Sequence, residues 1–202
     1  MTGNLPALAD NYTLGEQAQL LDVARRALIA AAAGEPPLVL DINTFLPRLH
    51  EQRACFVTLY FQHELRGCTG TLVARQPLVE EVAHTMLQTA LHDPRFAPVM
   101  SEEVPEIAIE ISVLTPSVPL KYNGPDELLR LLRPNIDGVT LRLGYYRSTF
   151  LPQVWERVQD PAVFLGMLSR KMDFPEDTWR RPDIIVETYQ TVNIEEPEAH
   201  RA

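Results

Sequence analysis

The sequence predicts an α+β fold, with a mixed and mostly antiparallel β-sheet flanked by helices. Helical and strand-like segments alternate irregularly along the 202 residues, and short turns join some of the strand-like segments as in hairpins. Neither an internal repeat nor a low-complexity tract is present. A chain of this length is expected to form one domain and to bury roughly 70% of its unfolded surface.

Four segments carry helical periodicity or helix-start signals. Thr13 is a suitable N-cap for the first, and Glu16 three residues later completes a capping box. Asp93-Pro94 ends the second, because a residue before proline avoids the helical region. Asp160-Pro161 opens the last helix as N-cap and first-position proline. The predicted helices span residues 12–34, 77–91, 123–133 and 160–172.

The clearest strand covers residues 106–115. Its isoleucines, among them Ile109 and Ile111, point to one face, whereas Glu110 and Ser112 point to the other. A turn near residues 62–64 is expected to join two further strands into a hairpin. The remaining predicted extended segments are residues 54–61, 65–73, 139–143, 145–151 and 183–195. Residues 1–11 are expected to form a loose arm and residues 196–202 a frayed tail around a globular region of residues 12–195.

Composition excludes several classes of protein. The net charge of −9 argues against broad nucleic-acid binding, which needs a basic surface. No apolar run approaches the ~20 residues that span a bilayer, and no secretory signal is recognised, so a cytoplasmic protein is expected. Cys55 and Cys68 form no CxxC pair and have no histidine at zinc-like spacing. Phosphate-loop, dinucleotide, zinc-protease and nucleophile-elbow motifs are missing, so neither a metal nor a cofactor is predicted.

The most unusual segment is a strand-like hexapeptide with two glycines, which usually mark a bulge or a close backbone approach. Its even-numbered residues share one face of a regular strand and its odd-numbered residues the other. A guanidinium from Arg66 beside the Cys68 thiol would favour the nucleophilic thiolate. The alternative is a small thiol packed as a hydrophobe. The hexapeptide is Arg66-Gly67-Cys68-Thr69-Gly70-Thr71.

Three other places offer polar groups. Asp93 and Arg95 lie on a loop after a helix, where they form either part of a site or a local ion pair. Glu110 requires a partner such as Arg66 or Arg147 if its strand is central, or it lies on a face open to water. Arg147, with Thr149 and aromatic neighbours, either binds an anion or a ring or covers a sheet edge.

The hexapeptide resembles the signature of the AMMECR-type domain family, whose bacterial and archaeal members are called AmmeMemoRadiSam system protein A. The resemblance runs in order from about residue 56 to residue 195, through segments at residues 93–98, 110–116, 137–155 and 164–179. Where relatives often have a cysteine, this chain has Ser169.

The resemblance implies a fold with a larger and a smaller lobe around a β-sheet, and a cleft beside the hexapeptide. Bacterial relatives are often encoded beside a Memo-like protein and a radical S-adenosylmethionine protein, which the resemblance therefore implies as partners. It identifies no reaction.

Two functional hypotheses follow. The first is an enzyme or enzyme component in which Cys68 is a nucleophile or redox thiol and Glu110 a second catalytic residue, acting on a small anionic or nucleotide-like substrate. The second is a non-catalytic binding or adaptor protein of the same system, with a structural hexapeptide. Substrate-binding residues expected under the first hypothesis are Arg66, Gly67, Thr69, Gly70, Thr71, Asp93, Arg95, Arg147 and Thr149.

Overall fold

A computed structural model describes residues 11–196, which fall into two compact units. The first unit contains the described residues up to Thr115 and from Val192 onward, and the second is Pro116–Thr191. The predicted α+β class is confirmed, and the strands are divided between two four-stranded sheets. Apart from Asn11 and Glu196, the predicted arm and tail lie outside the described residues.

Helices and strands are close to the predicted ranges. Helices in residues 11–196 are α1 (Leu14–Ala32), α2 (Leu78–His92), α3 (Pro125–Leu131) and α4 (Pro161–Lys171). Strands in the same residues are β1 (Cys55–Phe61), β2 (Glu64–Gly70), β3 (Ile107–Leu114), β4 (Val118–Pro119), β5 (Gly138–Leu143), β6 (Tyr146–Phe150), β7 (Ile185–Tyr189) and β8 (Thr191–Glu195).

The first unit packs α1 and α2 on one face of a sheet of order β2-β1-β3-β8. The predicted alternation in β3 is confirmed, because Ile109 and Ile111 are buried in this core while Glu110 is half-buried on the other side. Thr13 and Glu16 form the predicted capping box at the start of α1. We call the sheet surface opposite the helices the polar face; it carries Thr58, Tyr60, Cys68, Glu110 and Ser112.

The hairpin of β1 and β2 contains the expected irregularity. Leu59 lies opposite Gly67 and Tyr60 lies opposite Leu65, so Arg66 is an extra residue in β2. Such a bulge releases a side chain from the regular alternation of the strand. The bulge therefore frees Arg66 to point elsewhere, while Cys68 returns to register opposite Thr58.

The second unit has a sheet of order β4-β7-β5-β6 with α3 and α4 in its core. The Trp155 ring stacks on Phe164 at 3.7 Å between centroids, and its indole N–H donates to the Asp137 carbonyl at 2.7 Å. Ser169, the position noted above in α4, is fully buried and donates to the Leu165 carbonyl at 3.0 Å. A small hydrogen-bonded hydroxyl thus fills this position in α4.

Residues 183–195, expected as one extended segment, form two strands in different sheets. β7 belongs to the second unit's sheet and β8 to that of the first, with Gln190 between them. The chain therefore leaves the first unit after Thr115 and returns to it at Val192. By connectivity, the second unit is an insertion within the first.

The sequence suggested that Glu196 begins a frayed tail, but in the structure its side chain is held in place. Its carboxylate is buried and accepts hydrogen bonds from the Arg25 guanidinium and, at 3.0 Å, from the Ile109 N–H. The Glu196 N–H also donates to the Ile109 carbonyl at 3.1 Å. Arg25 and Glu196 are 171 positions apart, so no local pattern could indicate this contact.

We predict that Gly70→Ala destabilises the first unit. The backbone of Gly70 is not left-handed, so its conformation does not require glycine. Space does, because an added Cβ would lie 2.4 Å from the Phe56 ring and 2.5 Å from the Cys55 carbonyl oxygen. Crowding of this kind typically costs about 1–3 kcal/mol. Gly15→Ala in α1 is the control, because its Cβ would meet only Leu46 at 3.6 Å. Urea unfolding that leaves both variants equally stable would contradict the prediction.

Candidate functional site

Cys68 lies half-buried on the polar face, in line with two polar residues of neighbouring strands. Thr58 of β1 is opposite Cys68, and its hydroxyl donates to the Cys68 Sγ at 3.4 Å. Thr58 is also opposite Glu110 of β3. Cys68 and Glu110 are therefore two strands apart, roughly 10 Å between Cα atoms, with their side chains on the same surface. A small molecule lying over Thr58 could contact both.

The backbone of Cys68 is held by an ion pair at the end of α2. The Cys68 N–H donates to Asp93 Oδ2 at 2.9 Å, and Arg95 Nη2 donates to the Cys68 carbonyl at 2.9 Å. Arg95 also donates to both carboxylate oxygens of Asp93, at 3.0 and 2.7 Å. We call this arrangement the Asp93–Arg95 clasp. It satisfies both outward backbone groups of Cys68 on the edge strand β2.

Each member of the Asp93–Arg95 clasp stabilises the charged form of the other. Hydrogen bonds from Arg95, together with the Cys68 and Arg95 N–H groups, hold the pKa of Asp93 well below its usual range. The Arg95 pKa is raised, first by its hydrogen bond to Asp93 and to a lesser extent by the neighbouring Cys68 side chain. The Asp93 side chain is only 2% exposed, whereas that of Arg95 is 53% exposed. Arg95 therefore brings a solvent-accessible positive charge to the Cys68 thiol.

Arg66 does not take the role that the sequence suggested. Its guanidinium pairs with Glu103, at 2.7 Å from Nε to Oε1 and 3.0 Å from Nη2 to Oε2, and does not pair with Glu110. It also donates to the carbonyl of Ala97 at 3.0 Å. This pairing lowers the pKa of Glu103. The expectation of Arg66 beside the thiol assumed a regular strand, and the bulge at Arg66 removes it from that position.

Glu110 is surrounded by hydroxyl groups. The Tyr60 hydroxyl donates to Glu110 Oε2 at 3.5 Å, and the Ser112 hydroxyl donates to Oε1 at 3.3 Å. Burial and then the negative charge of Glu110 raise the pKa of Tyr60, so the phenol remains protonated as a donor. The Ser112 hydroxyl also lies 3.0 Å from the Asn193 side-chain oxygen of β8, so its single proton is shared between the Glu110 and Asn193 acceptors.

An open pocket of about 230 Å³ adjoins Glu110 on the polar face. Its lining includes three carboxylates, those of Glu106, Glu110 and Glu195, together with Tyr60 and His63. This end of the face therefore repels anions. Exposed positive charge lies instead at the Cys68 end, on Arg95.

The other hexapeptide residues make structural contacts. An added Cβ on Gly67 would lie 3.1 Å from the Thr89 side chain, so Gly67 allows close packing on α2. The hydroxyls of Thr69 and Thr89 share a hydrogen bond of 2.6 Å. The Thr71 hydroxyl bonds the backbone of Val73 two residues on. Of the motif's side chains, that of Cys68 is the one on the polar face with a reactive group.

Arg147 and Thr149 both belong to β6 of the second unit. Arg147 is exposed. Thr149 is buried, where its hydroxyl donates to the Val139 carbonyl at 3.0 Å and bonds the Tyr189 hydroxyl at 3.0 Å. These contacts give Thr149 a structural role in that sheet.

The sequence did not point to three residues of the site: Thr58, Tyr60 and Glu103. Strand alternation was a usable signal for Thr58 and Tyr60, because both share a face of β1. The pairing of β1 with β2 and β3, which sets them beside Cys68 and Glu110, was not available without the register. No local signal indicated Glu103, which lies 37 positions from Arg66.

Within residues 11–196, no group of three or more His, Cys, Asp or Glu side chains is arranged to hold a metal ion. The helices of the same residues are too short or too polar to cross a membrane.

The chain is thus an α+β protein of two units, each with a four-stranded sheet. The AMMECR1 family model matches residues 21–194, and the chain belongs to the AMMECR1 family.

Relatives cover nearly the whole chain. Protein MJ0810 of Methanocaldococcus jannaschii is 34% identical, and the match covers 92% of each protein. Protein MK0488 of Methanopyrus kandleri is 34% identical over 95% of this chain and 93% of the relative. The crystal structure of the uncharacterized protein PH0010 from Pyrococcus horikoshii is similar, with a TM-score of 0.74, 33% identity, and coverage of 90% of this chain and 91% of that one. None of these names states an activity.

We predict that Asp93→Asn destabilises the protein by about 1–3 kcal/mol at pH 7, because it weakens charge-assisted bonds in a buried site. The folded-state pKa of Asp93 lies below its unfolded value of about 3.9. Its stabilisation is therefore complete above about pH 5 and is lost progressively as the pH falls towards the lowered folded-state pKa. The difference between wild type and variant should be constant from pH 7 to 5 and smaller at pH 3.

Urea unfolding at each pH measures this difference. Asp22→Asn is the control, since Asp22 forms an exposed pair with Arg26 at 3.2 Å. Its cost should stay below about 1 kcal/mol. A variant at Asp93 that matches this control at pH 7 would show that the clasp contributes little to stability.

Proposed function

We propose that this AMMECR1-family protein is a cysteine-dependent enzyme or enzyme component that acts on a small substrate bound over the polar face. Cys68 is the nucleophile and Glu110 the acid–base residue. The observation that carries the proposal is the row of Cys68, Thr58 and Glu110 across three neighbouring strands. A half-exposed thiol with a hydroxyl donor at 3.4 Å and an adjacent guanidinium has the surroundings of a reactive cysteine.

The chemical step is displacement at an electrophilic carbon. The Cys68 sulfur forms a bond to that carbon, and the bond to the leaving group breaks with its electron pair going to the leaving group. The thiol proton passes to the Glu110 carboxylate through a water or a substrate group over Thr58, and Glu110 returns it to the leaving group. Water then adds to the carbon, the carbon–sulfur bond breaks, and the thiol is regenerated.

The surface also favours a particular orientation of the substrate. Arg95 offers positive charge beside Cys68, and the Thr58 and Arg95 donors can stabilise negative charge at the reacting end. The carboxylates of Glu106, Glu110 and Glu195 favour a neutral or donor-rich group at the other end. An anionic group is therefore proposed only near Arg95.

A non-catalytic binding or adaptor protein is the second candidate. It is favoured by the hexapeptide itself, because Arg66, Gly67 and Thr69 all make structural contacts. Under this alternative Cys68 is an inert packing residue. The Memo-like and radical S-adenosylmethionine proteins that the family resemblance implies are proposed as partners under both candidates.

We predict that iodoacetamide labels Cys68 in the native protein at pH 7 and labels Cys55 only after unfolding. Cys55 is fully buried, and burial raises its pKa to about 12. Peptide mass spectrometry distinguishes the two sites within one molecule. Labelling of Cys68 only on unfolding would remove the nucleophile and favour the adaptor.

Arg95→Gln should slow this labelling by roughly fivefold, which corresponds to about 1 kcal/mol of charge interaction at a solvated distance of a few ångströms. Arg66→Gln is the matched control, because Arg66 also pairs with a carboxylate but that carboxylate is Glu103. Equal rates for the two variants would show that Arg95 does not activate the thiol.

We predict that p-nitrophenyl acetate acetylates Cys68 with release of p-nitrophenolate. Cys68→Ala should remove the reaction at this site. Glu110→Gln should accumulate the acetyl-enzyme, since its side chain cannot accept the proton of the hydrolytic water. Intact-mass analysis over time measures the adduct. Equal rates of adduct loss in wild type and Glu110→Gln would contradict the role of Glu110.

A further inference from the structure

A second polar groove, of about 380 Å³, lies on the side of β2 that faces α2. Thr69 of β2 lines it and contacts Thr89 of α2, whereas Cys68 points to the opposite face. The groove and the thiol are thus separated by the strand itself. Its volume falls within the range of about 300–1,000 Å³ that is usual for small-molecule sites.

The groove contains a buried carboxylate that has no cationic partner within residues 11–196. Glu81 of α2 lines the groove and is only 5% exposed. In the part of the chain that the structure describes, its side chain accepts one hydrogen bond, from the Thr85 hydroxyl at 3.3 Å. A buried carboxylate is stable only when donors satisfy it. Glu81 therefore offers acceptor capacity to a ligand that carries hydroxyl or amino donors.

The rim of the groove has the opposite character. Arg75, His84 and His92 line it and are exposed. The Gly70 N–H adds a backbone donor, because it points away from β1 in the same direction as that of Cys68, two residues earlier. Cationic and N–H donors of this kind bind phosphate oxygens.

We propose that this groove binds a phosphorylated polyol, a ligand with one phosphate group and several hydroxyls. The phosphate bonds Arg75, His84 and the Gly70 N–H, and a hydroxyl donates to Glu81 at the floor. Glu81 repels an anion that has no hydroxyl to donate, and a neutral polyol leaves Arg75 without a partner. Glu81 and Arg75 together therefore select a ligand that carries both a phosphate and hydroxyl groups. The proposal does not depend on the thiol chemistry of Cys68.

Isothermal titration calorimetry of the full chain at pH 7 tests this with ribose 5-phosphate, ribose and inorganic phosphate. Ribose 5-phosphate should bind at least about tenfold more tightly than either fragment, and Arg75→Gln should weaken it by about tenfold, as the loss of about 1.4 kcal/mol implies. Arg130→Gln, an exposed arginine of α3, is the matched control and should bind as wild type does. Cys68→Ser should also bind normally, so failure of the two proposals can be told apart.

Glu81→Gln should remove the preference for ribose 5-phosphate over phosphate. If this buried variant does not fold, Gln88→Ala tests the floor of the groove in its place, because Gln88 also lines it. Equal binding of phosphate and ribose 5-phosphate to wild type, no binding of any probe, or an Arg75→Gln variant that binds normally would each overturn the proposal.

Discussion

The Asp93 carboxylate fixes the edge of β2 to the end of α2, and the presentation of Cys68 depends on it. One buried carboxylate accepts the Cys68 N–H and the donors of Arg95, whose guanidinium closes the arrangement on the Cys68 carbonyl. An edge strand without such a cover exposes backbone groups that pair readily with other strands. The clasp therefore protects the edge and, with the same bonds, holds the thiol in one position on the polar face.

The two faces of the hexapeptide strand have different roles: one packs against α2, and the other presents the Cys68 thiol. Gly67 and Thr69 fit the strand closely to α2, and the bulge at Arg66 sends its guanidinium to Glu103. Cys68 is left opposite Thr58 with its sulfur on the polar face. Because its neighbours are fixed on both sides, the thiol can be positioned without a dedicated loop. A rigid strand suits the role proposed above for Cys68, which requires a defined distance to the reacting atom.

Local patterns predicted the elements well, since capping at Thr13 and alternation in β3 depend only on nearby residues. They also singled out Cys68, Asp93, Arg95 and Glu110 as candidates, and these residues all lie in the first unit. Local patterns did not predict which side chains pair with one another. Arg66 pairs with Glu103, and Arg95 bonds the backbone of Cys68. These pairings depend on strand register and on the path of the chain after α2, and neither gives a periodic signal in the sequence. The division of residues 183–195 between two sheets was hidden for the same reason.

Because the second unit is inserted between β3 and β8, the strands of the first unit's sheet are not synthesised consecutively. A ribosome completes β1, β2 and β3 first, then the whole second unit, and only afterwards the strand and the Glu196 carboxylate that join Ile109 and Arg25. Until then β3 has an open edge and Arg25 lacks this buried counter-ion, so the nascent first unit is incomplete. Once the sheet is closed, the intervening segment is a closed loop, whose entropy cost grows only slowly with its length. The length of the inserted segment therefore adds only slowly to the entropy cost of pairing β8 with β3.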